Sequence, residues 1–134
     1  MKLNQVTLKA PDVGACSEFY ERLGFTLIVD SRPRYVRFEC PDGGATFSVE
    51  LVGHQAAGEG SEVYFECEDL DGTVARLRDR GVTFEHDPRD QPWLWREARL
   101  RDPAGNVIVL FHAGDNRRFP PWRVDGLTAS GGGG

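Results

Sequence analysis

The sequence predicts an α+β fold of two tandem βαβββ modules, whose curved mixed sheets surround a concave cavity. Three observations lead there: short runs that alternate apolar and polar residues, two amphipathic segments each stopped by a glycine, and an internal offset relating the two halves. With 134 residues the chain has room for one typical domain, which excludes a two-domain dehydrogenase or kinase.

Residues 3–9 alternate at period two, the pattern of a half-buried strand. Pro11-Asp12 then opens a stripe of Val13, Cys16, Phe19, Tyr20 and Leu23 at helical spacing, stopped by Gly24. Strand-like runs follow at 25–29, 35–40 and 46–52, separated by turn residues at 31–33 and 41–44. After a loose linker from Gly53 to Gly60 the order repeats: a strand at 61–67, a helix at 69–80 closed by Gly81, and strands at 82–85, 93–101 and 106–112. An offset of 57 carries Val6, Asp12, Gly24 and Thr26 onto Val63, Asp69, Gly81 and Thr83, and Gln5 onto Glu62. Residues 1–114 therefore form one domain of two modules, 1–58 and 59–114; 115–130 form a C-terminal strap and 131–134 a flexible glycine tail.

Strand parity assigns faces. Val6, Leu8, Phe47, Val49, Val63, Phe65, Ile108 and Leu110 face the helices. The opposite, concave face carries Gln5, Thr7, Lys9, Thr46, Ser48, Glu50, Glu62, Tyr64, Glu66, Val107, Val109 and Phe111, a mixed polar and aromatic set suited to a small-molecule site.

Composition narrows the partners. Sixteen Lys and Arg against twenty-one Asp and Glu give a net charge of −5, which argues against a phosphate-tracking nucleic-acid binder and favours a neutral or cationic small molecule. No apolar run approaches the roughly 20 residues of a membrane span. The three cysteines, Cys16, Cys40 and Cys67, lack metal-type spacing, and no charged-then-apolar leader precedes Leu3; the cytoplasm is the expected compartment. Cys16 and Cys67 read as small core residues.

Three motifs accompany the repeat: Phe19-Tyr20-Glu21-Arg22-Leu23-Gly24-Phe25, Glu68-Asp69-Leu70-Asp71, and Leu100-Arg101-Asp102-Pro103-Ala104-Gly105-Asn106. On these the chain, over residues 3–114, resembles the vicinal oxygen chelate superfamily of glyoxalases, extradiol dioxygenases, fosfomycin-resistance enzymes and bleomycin-binding proteins. The resemblance implies a divalent ion held by His, Gln or Glu from the first and last strands of each module. The corresponding positions here are Gln5, Glu50, Glu62 and Val109. Val109 cannot ligate, so Gln5, Glu50 and Glu62 remain as candidate ligands, three oxygen donors that favour Mg or Mn over Ni or Zn. The competing expectation is a member that has lost its metal, as the bleomycin-binding proteins have. Without a cation, facing Glu50 and Glu62 would repel, one would hold a proton, and that carboxyl could act as a general acid.

His54, His86 and His112 match no ligand position and read as surface or structural residues. Trp93 and Trp95, two apart on an expected strand, share a face and could stack a planar ligand together with Tyr64, Val109 and Phe111, or pack against the strap at Phe119 to Trp122. The leading function is a small-molecule-binding cavity protein of the drug-binding kind. The alternatives are a metal-dependent lyase, isomerase or thiol transferase using Glu50 or Glu62 to move a proton, and a dimeric interaction module. A homodimer is expected, with modules pairing within the chain or by exchange.

Overall fold

The computed structural model describes residues 1–54 and 60–124. The element order is β1 (Gln5–Ala10), α1 (Val13–Arg22), β2 (Thr26–Ser31), β3 (Tyr35–Glu39), β4 (Thr46–Leu51), β5 (Glu62–Glu66), α2 (Leu70–Asp79), β6 (Arg89–Asp90), β7 (Arg96–Arg101) and β8 (Val107–His112), followed by a short 3-10 turn over Gly114–Asn116. The strands form two four-stranded mixed sheets, ordered β1-β4-β3-β2 and β5-β8-β7-β6, which do not join into a closed barrel. In each sheet the first and last strands of a module pair in parallel. None of the described helices is long and apolar enough to cross a membrane.

Two of the four positions preserved by the 57-residue offset start and stop the helices. Asp12 Oδ1 accepts from Ala15 N at 3.0 Å and Asp69 Oδ1 from Gly72 N at 3.0 Å, capping α1 and α2. Gly24 and Gly81 follow the helices with φ of 104° and 84°, a left-handed conformation that a side chain would strain.

The second module departs from the expected pattern. Residues 82–85 do not form a strand: Val82 and Phe84 turn into the core, and Glu85 N makes one ladder-like bond to Arg99 O at 2.8 Å. His86-Asp87-Pro88 follows, and Pro88 has no N–H to extend the ladder, so β6 shrinks to two residues. The strand expected from Trp93 begins instead at Arg96. Leu94, at φ 68°, donates to Gln91 O, and Gln91 N donates to Trp95 O at 2.7 Å, which folds 91–95 into the β6–β7 loop. The indoles therefore do not share a strand face.

The helix-facing residues meet in one apolar core that spans both modules, from Leu8, Val13, Tyr20 and Phe38 to Val74, Leu100 and Ile108. Phe65 of the second module packs on Phe25 and Phe47 of the first, at ring distances of 4.9 and 5.7 Å. A polar latch lies within this core. Tyr20 Oη donates to Asp102 Oδ2 at 2.6 Å; Asp102 also accepts from Ala104 N, Asn106 N and Asn106 Nδ2, each at 2.9 Å. Asn106 Nδ2 reaches Lys9 O at 3.2 Å, and its Oδ1 accepts from Ser61 N at 2.9 Å. Burial and the neighbouring carboxylate push the Tyr20 phenol far above its ordinary value, so it stays a donor at any physiological pH. Gly60 sits against this latch: a Cβ there would lie 2.5 Å from Asn106 Oδ1 and 2.6 Å from Asn106 Cα.

Two consequences follow for stability. Tyr20→Phe removes one donor from a buried carboxylate and should cost about 1.5–3 kcal/mol in urea unfolding. Gly60→Ala should also destabilise, because it drives a methyl into the Asn106 backbone. Unchanged midpoints for both variants would show that the latch does not hold the modules together.

Candidate functional site

Pairing registers define which concave-face residues are equivalent in the two modules. In the first, Gln5 lies opposite Thr46, Thr7 and Arg37 opposite Ser48, and Lys9 and Tyr35 opposite Glu50. In the second, Glu62 lies opposite Val107, Tyr64 and Arg99 opposite Val109, and Glu66 and Glu97 opposite Phe111. The structural counterpart of Val109 is thus Ser48, and that of Glu50 is Phe111. Glu50 and Val109, which the resemblance set at corresponding positions, thus differ by two residues in register.

The three expected ligands are committed elsewhere. Gln5 Nε2 donates to Ser48 Oγ at 2.7 Å, while its Oε1 accepts from Thr46 Oγ1. Glu50 lies four residues beyond Gln5's partner Thr46, roughly 13 Å along the strand, and forms a salt bridge with Lys9 at 2.5 Å. Glu62 Oε1 accepts from Arg99 Nη2 at 2.6 Å and from Tyr64 Oη at 2.7 Å. Among the described residues no three His, Cys, Asp or Glu side chains are grouped to hold a metal. With Val109 and a fully buried Ser48 at the equivalent positions, and guanidinium groups beside both, the donors of one chain do not fit a divalent ion.

The concave face of the second module is instead an aromatic platform. Trp95 stacks on Phe111 with ring centroids 4.6 Å apart and planes inclined by 19°. Tyr64 stands edge-on to both, at 5.7 and 5.6 Å. Val109 is buried in the same cluster, and Tyr64 remains 41% exposed. Trp95 Nε1 donates to Asn116 O at 3.4 Å, so the chain after β8 anchors the indole through the 3-10 turn, not through Phe119 to Trp122. Trp93 has no ring contact with this stack; it donates to the buried carboxylate of Glu97, which lies opposite Phe111, at 2.8 Å. Arg118 and Arg123 each lie over the Phe119 ring, at 5.5 and 4.5 Å, and the described part of the strap, up to residue 124, follows turns rather than an extended path; 125–130 lie outside the described residues.

A cavity of about 880 Å³ lies between the modules on the helix side, over Phe25, Phe47, Val63, Phe65 and Leu77. Of the concave-face residues, Gln5, Thr46, Tyr64 and Glu66 also line this cavity, whereas Glu50, Glu62, Trp95, Val109 and Phe111 do not. The cavity therefore meets the concave faces only at those four residues.

His54 and His112 are exposed and His86 half-buried; His112 Nδ1 and His86 Nδ1 contact the carbonyls of Cys67 and Asp87. Sequence reasoning missed Tyr35, Arg37, Glu97 and Arg99 because it placed the concave face on the first and last strands of each module. The signal was present in the period-two runs Tyr35-Arg37-Glu39 and Glu97-Arg99-Arg101, which put polar side chains on the same face from the neighbouring strands.

Glu62 is held below the ordinary carboxylate range, first by the Tyr64 hydroxyl and then by Arg99. Tyr64 is pushed up to about 12 by loss of water and by the hydrogen bond to Glu62. The depressed carboxylate makes the pair's contribution present above the ordinary Glu value and lost as pH falls through the folded one; the raised phenol keeps it until pH rises through about 12. Glu62→Gln should therefore bring the Tyr64 phenol back toward 10.0 in an ultraviolet titration read against Tyr64→Phe. A phenol that titrates alike in both backgrounds would contradict the coupling.

Residues 2–110 match the Glyoxalase/Bleomycin resistance protein/Dioxygenase superfamily. YraH of Bacillus subtilis (strain 168), itself uncharacterized, is 31% identical over 129 residues, covering 83% of this chain and 98% of that protein. A glyoxalase/bleomycin resistance protein/dioxygenase from Nocardioides superposes with a TM-score of 0.72 at 26% identity, over 84% of this chain and 83% of the other. A bleomycin-binding protein complexed with bleomycin shares the fold with a TM-score of 0.72 at 19% identity, over 84% of this chain and 98% of its own. With two capped-helix modules and residues 2–110 matched, this chain belongs to the Glyoxalase/Bleomycin resistance protein/Dioxygenase superfamily.

Proposed function

We propose that this protein binds a small aromatic molecule on the concave face of its second module, without a bound metal and without catalysis by Glu50 or Glu62. The observation that carries this reading is the Trp95–Phe111 stack with Tyr64 standing edge-on and partly exposed beside it. Such a platform offers a π-face and an apolar floor while its polar neighbours, Glu62 and Arg99, neutralise one another at 2.6 Å. The fold shared with a bleomycin-binding protein supports a binding role. The lyase, isomerase or transferase alternative requires Gln5, Glu50 and Glu62 to act as one ligand set, and each has another partner.

A homodimer and a cytoplasmic location complete the proposal. A second copy would cover the open concave faces, and the free thiols of Cys16, Cys40 and Cys67 suit a reducing compartment.

The test is a fluorescence titration with a planar aromatic amide. Trp95→Ala should weaken binding by about 1–3 kcal/mol, the scale of one aromatic stacking contact, whereas Trp93→Ala should leave it nearly unchanged. Equal losses for both indoles, or none for Trp95, would remove the platform from the site. Elemental analysis of protein purified without chelator should find no stoichiometric divalent ion; one ion per chain would overturn the metal-free reading.

A further inference from the structure

Counting hydrogens on the concave face of the first module leaves donors without an acceptor. Gln5 is oriented by three contacts: Oε1 accepts from Thr46 and Nε2 donates to Val6 O at 3.2 Å, so Nε2 is also the atom that donates to Ser48 Oγ. Ser48 Oγ also lies 2.5 Å from Tyr35 Oη, and Arg37 Nε donates to Tyr35 Oη at 3.0 Å. Ser48 has no solvent exposure, so its hydrogen must end on an acceptor within the protein; among the described residues, Tyr35 Oη is the acceptor in contact with it. The tyrosine oxygen then accepts twice, from Ser48 and from Arg37. Its own hydrogen is left over, on a half-buried side chain at the cleft.

Arg37 adds a second unspent donor. Lys9, Arg32, Arg78, Arg96, Arg99, Arg101 and Arg117 each meet a carboxylate. Arg37 is half-buried and has no ion-pair partner among the described residues, while its Nε is fixed on Tyr35. Of the two carboxylates flanking Arg37 on this face, Glu50 is neutralised by Lys9, and Glu39, two residues along β3, makes no ion pair with Arg37. A guanidinium and a hydroxyl hydrogen are thus presented side by side, held from behind by Ser48 and Gln5.

We propose that Tyr35 and Arg37 form a fork that receives the carboxylate of a small organic acid. A planar carboxylate has two oxygens, one for the phenol hydrogen and one for a terminal guanidinium nitrogen. This rests on and deepens the reading of the concave faces as ligand sites by assigning a ligand class to the first module's face: a carboxylic acid, its charge on Arg37.

The experiment compares a naphthoate, the matching naphthamide and a naphthyl phosphate by titration calorimetry. Naphthoate should bind wild-type protein about tenfold or more tightly than naphthamide, the scale of a charge-assisted hydrogen-bond pair. Tyr35→Phe and Arg37→Gln should each weaken naphthoate by about tenfold and leave naphthamide within about twofold. Arg37→Lys, which keeps the charge but loses the fork, should recover only part of the loss. Thermal melts of each variant separate binding from folding. Equal affinity for naphthoate and naphthamide, or variants that leave naphthoate binding intact, would overturn the fork; tighter binding of the phosphate would overturn its assignment to a carboxylate. Failure of the aromatic platform has a different signature, in which Trp95→Ala changes neither affinity while Tyr35→Phe still discriminates against naphthoate.

Discussion

The relation between the two sheets rests on one buried carboxylate. Asp102 is 4% exposed, and four donors converge on its carboxylate: the Tyr20 phenol, two backbone amides and the Asn106 side chain. An ionised group without such partners would be too costly to bury. The donors come from α1 of one module and the last hairpin of the other, and Asn106 extends the contact to the end of β1 and the start of β5. The apolar contact of Phe65 with Phe25 and Phe47 adds area, but it is non-directional; the carboxylate sets the register of one module against the other.

This latch also breaks the internal symmetry. The offset that carries Asp12 onto Asp69 and Gly24 onto Gly81 carries Tyr20 onto Leu77, an apolar core residue with no hydroxyl. The concave faces diverge in the same manner. At equivalent register positions one sheet carries Thr7, Ser48 and Glu50, the other Tyr64, Val109 and Phe111. One face has become a hydrogen-bonded polar surface and the other an aromatic one, and neither keeps the matched donors that a shared metal would need.

How much of this could be read in the sequence depended on the range of the interaction. Helix caps and stops are local, so Asp12, Asp69, Gly24 and Gly81 were legible from spacing alone, as was the helix-facing parity of Leu8, Val49, Ile108 and Leu110. Residues 82–85 misled because two buried apolar residues at period two resemble a strand, while Pro88 downstream limits the ladder. Trp93 and Trp95 misled for a related reason: strand parity presumes an extended backbone, and Leu94 lies in the left-handed region. The site itself was only half legible. The resemblance set Gln5 and Glu62 at positions that are equivalent in register, but Glu50 and Val109 at positions two residues apart, because which residue of β4 lies opposite Thr7 is a matter of strand register, and register is a tertiary property.

The central claim is that an aromatic ligand binds here through side chains alone. The most direct measurement is the proton NMR spectrum of the naphthoate complex, recorded first in the presence of a strong chelator and again after a divalent ion is restored. The account predicts the same intermolecular contacts from ligand ring protons to Trp95 and Tyr64 in both samples. Contacts that appear only when the ion is present would contradict it.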